Sequence, residues 1–266
     1  MQGGTKANIS SVTKENGMFK VMVEIGEGKQ KQEITSYLSV DGSKFFPSVM
    51  DIAETEKKIA GQAEAEAKPV AEIPKTDKPT VDLFVMSFCP FGNKAEDTIK
   101  PVYDLLKNKV SFNFHYIVSS EGDSIKSLHG EKEVVQNERE ACVLKDYGKD
   151  KWVSFVTYVN TNCGSDGACW ETGAKNLGIN VAKVTACVAS NGVALMKADE
   201  KVSVEAGASG SPTMTINGVE TKVVYQYGNS EEYKKIICES FNKAPAECAK
   251  VLSSGTATAE GGSCGS

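Results

Sequence analysis

The sequence predicts an α/β protein: one α/β domain with an inserted helical subdomain, preceded by a small, mostly antiparallel β domain. Three observations predict it. A short apolar run, Leu83 to Met86, passes through a cysteine into Asn93–Lys107, whose Ala95, Ile99, Val102, Leu105 and Leu106 recur at helical spacing; Val110–Val118 then alternates as a strand. Residues 124 to about 205 read as mainly helical before the strand pattern returns at Thr213–Ile216. The first ~55 residues alternate with period two instead, and a stretch rich in Ala, Glu, Lys and Pro separates them from the rest.

In order, Phe19, Val21, Val23 and Ile25 share one parity opposite Lys20 and Glu24, and Glu33–Val40 makes a second strand. Asp41-Gly42 supplies a turn into Lys44-Phe45-Phe46. This unit is assigned to residues 1–52. The linker, 53–80, carries Glu54, Glu56, Lys57, Lys58, Glu64 and Glu66 as a solvated helix, broken by Pro69, Pro74 and Pro79. The α/β domain spans 81–250. Its expected insertion helices are Glu131–Tyr147, Trp170–Leu177, Val181–Ala189 and Val193–Ala206, with breaks at Gly148, Gly178 and Asn191-Gly192. Asn217-Gly218 turns Thr213–Ile216 into a strand over Glu220–Tyr225, and a helix from about Ser230 to Asn242 closes the domain. Residues 251–266, rich in Gly, Ser, Thr and Ala, are expected to be a disordered tail, with Cys264 free or left by processing.

Composition excludes several classes. A net charge of -5 with pI near 5.3, and no Lys or Arg cluster interleaved with aromatics, argues against nucleic acid. No run approaches ~18 apolar residues, and the first residues lack the apolar core of a signal peptide. Eight cysteines suit a compartment where disulfides persist, so the expected setting is periplasmic, cell-surface or secreted, with a leader or anchor absent from this chain. No metal site and no cofactor are expected: the nearest cysteines, Cys163 and Cys169, are too widely spaced for a zinc pair, and His115 and His129 extend no ligand pattern.

Cys89 lies where a buried strand meets a helix start, within Cys89-Pro90-Phe91-Gly92. Free amides and the helix dipole there favour a thiolate, although an unpaired cysteine can equally serve as apolar filler. The order strand, helix, strand, helical insert, Ser211-Pro212-Thr213, hairpin, helix resembles the thioredoxin superfamily with the insertion of the DsbA-type proteins. That resemblance implies a cis peptide before Pro212, facing Cys89, and a groove in which Pro90, Phe91, Gly92, Ser211 and Thr213 meet an extended peptide. Superfamily redox proteins carry Cys-x-x-Cys at this junction, whereas Gly92 stands at the second position here. Release of a mixed disulfide on Cys89 then needs an external thiol or another cysteine of the chain.

Residues Ser127 to Cys142 are similar to the signature of the gamma-interferon-inducible lysosomal thiol reductases. His129, Gly130, Glu133, Asn137 and Cys142 keep its spacing, and Ser127 and Val134 stand where that family has cysteines. His129 is expected to organise the insertion rather than to act as an acid or base. Ile237–Cys248 resembles a pattern in thioredoxin-like extracytoplasmic proteins, including part of the plant vacuolar sorting receptors, and reads as a Cys238–Cys248 staple. Cys163 with Cys169 and Cys142 with Cys187 form one pairing scheme, and Cys169 with Cys187 is the alternative. The N-terminal unit loosely resembles the dimerisation domain of the DsbC and DsbG isomerases, which makes a homodimer one expectation and a plain accessory domain the other.

Two functions follow. One is thiol-disulfide exchange through Cys89 as a monothiol, on protein or peptide partners bearing thiols or disulfides. The other is a redox-inactive peptide-binding or chaperone-like module, favoured by the missing cysteines at 92, 127 and 134. Peroxidase chemistry is disfavoured, because the threonine that peroxiredoxins place three residues before the cysteine is Met86 here.

Overall fold

A computed structural model describes residues 7–25, 32–46, 72–253 and 262–265. The chain divides into two compact units, Met1–Val70 and Ala71–Ser266. Most of the linker reading, from 53 to 71, lies outside the described residues, as do 254–261 of the tail.

The first unit holds a four-stranded antiparallel meander: β1 (Ala7–Glu15), β2 (Met18–Ile25), β3 (Gln32–Ser39) and β4 (Phe45–Phe46). Asn16-Gly17, both at positive φ, turn β1 into β2. Asp41 closes the β3–β4 turn by accepting from the Ser43 N–H at 3.0 Å and the Ser43 hydroxyl at 2.8 Å, and these bonds, with one from Ser39, hold its carboxyl down at about 2.

The second unit is built on the sheet β10-β9-β5-β6. β5 (Thr80–Val85) runs parallel to β6 (Ser111–Tyr116) and antiparallel to β9 (Thr213–Ile216), which pairs with the short β10 (Val219–Glu220). Helix α1 (Pro90–Leu106) makes the crossover from β5 to β6. Its Ala95, Ile99, Val102, Tyr103 and Leu106 are buried with Leu83, Phe112, Phe114 and Ile216 in the main core. α6 (Ser230–Glu239) contributes Tyr233 and Ile237 to the same core.

The second unit departs from the expected pattern in four places. A small hairpin, β7 (Ser119–Glu121) with β8 (Ser124–Lys126), precedes the insertion. After α2 (Glu131–Tyr147) comes a helix that the sequence reading passed over, α3 (Lys149–Asn162). It is rich in valine, threonine and aromatics that favour strand, yet Trp152, Val153, Phe155, Val156 and Val159 are buried at helical spacing, and packing decides. The short α4 (Trp170–Asn176) leads to α5 (Val181–Glu205), which runs unbroken through Asn191-Gly192. Gly192 is there because Glu138 of α2 crosses α5 at that point: a Cβ on Gly192 would lie 2.8 Å from Glu138 Cδ. The strand expected over Glu220–Tyr225 is only Val219–Glu220, followed by a 3₁₀ turn over Lys222–Tyr225.

Three disulfides tie this unit together. Cys142–Cys187 joins α2 to α5, Cys163–Cys169 closes the loop between α3 and α4, and Cys238–Cys248 staples the end of α6. Cys169 is thus not paired with Cys187. The fourth disulfide, Cys89–Cys264, belongs to the site.

Candidate functional site

Cys89 is the N-cap of α1 and is buried. The Gly92 N–H donates to its Sγ at 3.4 Å, so one of the helix's free amides faces the sulfur, and Pro90 occupies the first helical turn, where no amide is needed. The Ser211–Pro212 peptide bond is cis, and the Ser211 carbonyl oxygen lies 3.3 Å from Cys89 Sγ. That approach is a contact and not a hydrogen bond, because a disulfide sulfur has no proton to donate. Ser211 is fully buried; its Oγ accepts from the Met86 N–H at 2.9 Å, which fixes the proline loop to the segment that leads from β5 into Cys89. Thr213 Oγ1 donates to the Gly210 carbonyl at 2.8 Å, and Phe91 stacks on Tyr227 with ring centroids 6.0 Å apart. Cys89, Pro90, Phe91, Gly92, Ser211, Pro212 and Thr213 therefore meet in one place.

Cys264 corrects the sequence reading. It is not free: it forms a disulfide with Cys89, Cα to Cα 6.0 Å, across 175 positions of sequence. Its backbone is also held, through an isolated bridge. The Ser211 N–H donates to the Cys264 carbonyl and the Cys264 N–H to the Ser211 carbonyl, both at 2.8 Å, an antiparallel bridge at the edge beside the cis proline. Tyr227 Oη donates to the Gly262 carbonyl at 2.5 Å. The Cys89 sulfur is covered. Gly262 and Cys264 are described residues within the tail expected to be disordered, and the bridge to Ser211 places Cys264 in the groove.

Behind the cysteine, the insertion holds the loop Ser87-Phe88. Glu133 of α2 is fully buried and accepts from the Phe88 N–H at 2.9 Å, the His129 N–H at 3.0 Å and the Ser127 hydroxyl at 2.6 Å, while His129 Nδ1 lies 2.8 Å from its Oε1. Asn137 Oδ1 accepts from the Ser87 N–H at 3.1 Å and the Ser87 hydroxyl at 2.6 Å. Glu140 Oε2 lies 2.9 Å from the same hydroxyl, and that hydroxyl's one proton serves Asn137. A protonated Glu140 can donate to Ser87 instead, and its titration agrees. Burial raises it and the charge of Glu133 adds to this, the hydrogen bonds from Gln136 and Tyr116 oppose it, and the balance lies at about 7. Glu96 of α1 is pushed well above the carboxylate range by burial and by the charge of Glu140, and its Oε1 has no partner. Of these buried carboxyls, Glu133 stood out in sequence by its place in the signature, whereas Glu96 and Glu140 did not; their only signal was an acidic residue at an apolar position of α1 and α2.

His115 of β6 faces away from this network. Its Nδ1 lies 3.0 Å from Asp199 of α5 and its Nε2 3.6 Å from Asp82 of β5, with its ring stacked on Phe84. Burial works against its charged form, but the two carboxylates prevail and push it up to about 9. Among the described residues, neither histidine is hydrogen-bonded to Cys89, and no cluster of His, Cys, Asp and Glu is arranged to hold a metal.

A parallel β-α-β unit, a helical insertion, and a cis-proline loop facing the cysteine at the first helix's N-terminus define a thioredoxin fold of the DsbA type. More particularly, residues 80–175 match the family described as gamma interferon inducible lysosomal thiol reductase. No curated protein sequence matches the chain. Among solved structures it is similar to reduced DsbA from Mycobacterium tuberculosis (15% identity, 67% of this chain and 93% of that one, TM-score 0.49). BdbD from Bacillus subtilis in its oxidised form is likewise similar (16%, 63% and 90%, TM-score 0.48), as is ScsC from Proteus mirabilis (13%, 75% and 90%, TM-score 0.48).

Proposed function

We propose that this protein is an extracytoplasmic thiol-disulfide exchange protein that works through Cys89, the single cysteine of its Cys-Pro-Phe-Gly motif, opposite the Ser211–Pro212 loop. The observation that carries the reading is the backbone bridge at Ser211. An extended segment pairs with the Ser211 backbone in both directions while its cysteine is bonded to Cys89. A mixed disulfide with a peptide substrate needs that same arrangement, with backbone bonds for affinity and one sulfur in reach of another. As a thiolate, Cys89 attacks one sulfur of a substrate disulfide and the other sulfur leaves as thiolate. The Gly92 amide and the start of α1 favour the charged form. Substrates are peptides or proteins bearing thiols or disulfides, and an external thiol can serve as donor.

Four disulfides among eight cysteines support a compartment where such bonds persist, and among the described residues no helix is long and apolar enough to cross a membrane. Exposed Ile9, Val12 and Phe45 on the N-terminal sheet support self-association through that unit.

The test is alkylation of Cys89 against pH after mild reduction, with Cys89→Ser as control. The expected result is a thiolate forming below the ordinary cysteine value of about 8.5, together with turnover of a disulfide-linked peptide, with an external thiol supplied, by the intact protein and not by Cys89→Ser. A Cys89 that resists alkylation up to that value and turns over nothing would leave the second reading, a peptide-binding module without redox chemistry, for which Gly92, Ser127 and Val134 already speak.

A further inference from the structure

We propose that Cys264 is the resolving cysteine of this site: the partner that superfamily proteins carry inside the motif is delivered here on a strand from the far end of the sequence. The inference rests on the exchange function assigned to Cys89.

Three observations carry it. First, Gly92 excludes a resolving sulfur from the helix, and a Cβ at that position would lie 2.5 Å from Ser211 Oγ. Second, Cys264 is placed by more than its sulfur. Its backbone exchanges both hydrogen bonds with Ser211, the Gly262 carbonyl takes the Tyr227 hydroxyl, and Cys264 packs against the small apolar cluster of Phe84, Met86, Cys89, Ile117 and Ala208. Third, the flanking residues fit the groove by being small. Gly262 lies so close to the far end of the Phe91 ring that any Cβ there would run into it, and a Cβ on Gly210 would lie 2.6 Å from the Gly265 carbonyl. Gly-Ser-Cys-Gly is thus a segment shaped for this edge.

The cycle balances. The Cys89 thiolate attacks a substrate disulfide, forming Cys89–S–S–substrate and releasing one substrate thiol. The Cys264 thiolate then attacks Cys89 Sγ, forming Cys89–Cys264 and releasing the second substrate thiol. The substrate disulfide gains two electrons and the two cysteines lose two; the protons given up by the cysteine thiols go to the released thiolates. An external dithiol resets the pair by attacking Cys264, which is partly exposed where Cys89 is fully buried, and the leaving group is the sulfur that the helix start stabilises. While the pair is closed, the Cys264 strand occupies the edge that a peptide would use, so a peptide enters only after the bond opens.

The full chain is reduced with dithiothreitol until Cys89–Cys264 opens, and alkylation mapping checks that Cys142–Cys187, Cys163–Cys169 and Cys238–Cys248 remain closed. With the reductant removed, the protein is mixed with the disulfide-linked dimer of the peptide Gly-Ser-Cys-Gly. The wild type is expected to release two peptide thiols per chain and to end as Cys89–Cys264. Cys264→Ser is expected to release one and to stall as a mixed disulfide on Cys89 until a thiol is added. Wild type stalling at one thiol, or Cys264→Ser releasing two, overturns the inference and leaves the function of Cys89 standing. If Cys89 takes up no peptide in either protein, the exchange function fails and the inference with it.

Discussion

Replacing Gly92 by alanine puts a methyl group where the structure has a hydroxyl. The new Cβ would lie 2.5 Å from Ser211 Oγ and 3.3 Å from the Met86 carbonyl. The first contact is nearly 1 Å inside ordinary carbon–oxygen separation, so Ser211 must turn away and release the Met86 N–H that it holds at 2.9 Å. Leaving that buried amide unpaired costs about 2 kcal/mol. Alanine's better helix propensity returns up to about 1 kcal/mol, so the net loss expected for Gly92→Ala is about 1–2 kcal/mol, a fall of roughly 3–6 °C in Tm for a domain of this size. Ser211→Ala abolishes the same hydrogen bond without a clash and should cost about 2 kcal/mol. The double variant has no hydroxyl to displace and should be no less stable than Ser211→Ala alone, giving an interaction energy of about 2 kcal/mol. Guanidinium unfolding of the four proteins, with their disulfides intact, measures all three differences. Additive losses, or a Gly92→Ala protein as stable as the wild type, would refute the reasoning. The same contact means that a second motif cysteine cannot be restored by Gly92→Cys alone; Ser211 must change with it.

Other expectations follow from the rest of the molecule. Glu133→Ala leaves the Phe88 amide and the Ser127 hydroxyl without their acceptor, so unfolding should show a loss of about 3 kcal/mol, and alkylation of reduced Cys89 should slow; Glu133→Gln, which keeps the volume and one acceptor, should fall between. Opening the Cys238–Cys248 staple with a double serine variant should cost about 3 kcal/mol by loop entropy, read as the fall in unfolding free energy in guanidinium. His115 is raised from 6.5 to about 9 in the folded state. Its stabilising contribution is therefore complete below the unfolded value and is lost as pH climbs from about 6.5 to 9, up to roughly 3 kcal/mol; His115→Asn should flatten that interval in unfolding measured against pH. Glu140 is a raised carboxyl, so its contribution is complete below about 4.5 and declines toward pH 7. Glu140→Gln should remove that decline, and a decline that persists in the variant would assign it to another group.

Much of the fold could be read because local pattern and packing agreed. The run Leu83–Met86, the spacing from Ala95 to Leu106 and the turns at Asp41-Gly42 and Asn217-Gly218 each state locally what the tertiary structure uses. Where the two disagree, sequence misleads. In α3, strand-favouring residues are held helical by the cluster around Trp152, whose indole also donates to the Tyr116 hydroxyl at 2.8 Å. In α5, the Asn191-Gly192 pair looks like a stop but is a crossing point for Glu138. Cys89 and the Ser211-Pro212 loop were legible as motifs. The partner of Cys89 was not, because a cysteine among glycines and serines carries no periodicity, and its placement depends on a backbone pairing with a residue more than fifty positions away. Glu140 of α2 and Glu96 of α1 were hidden for a similar reason: a buried carboxyl is written in sequence like a solvated one, and only the groups it meets tell them apart.

Glu133 and Asn137 hold the backbone of the two residues before Cys89, so they act as a clamp whose use does not depend on oxidation state. The clamp is complete without cysteines at 127 and 134: the Ser127 hydroxyl bonds Glu133, and Val134 is buried. A chain of this kind can thus change how its sulfur is recycled while keeping the mould in which that sulfur is cast. Proteins that use this clamp should therefore keep the spacing from His-Gly through glutamate to asparagine whether or not cysteines stand beside it.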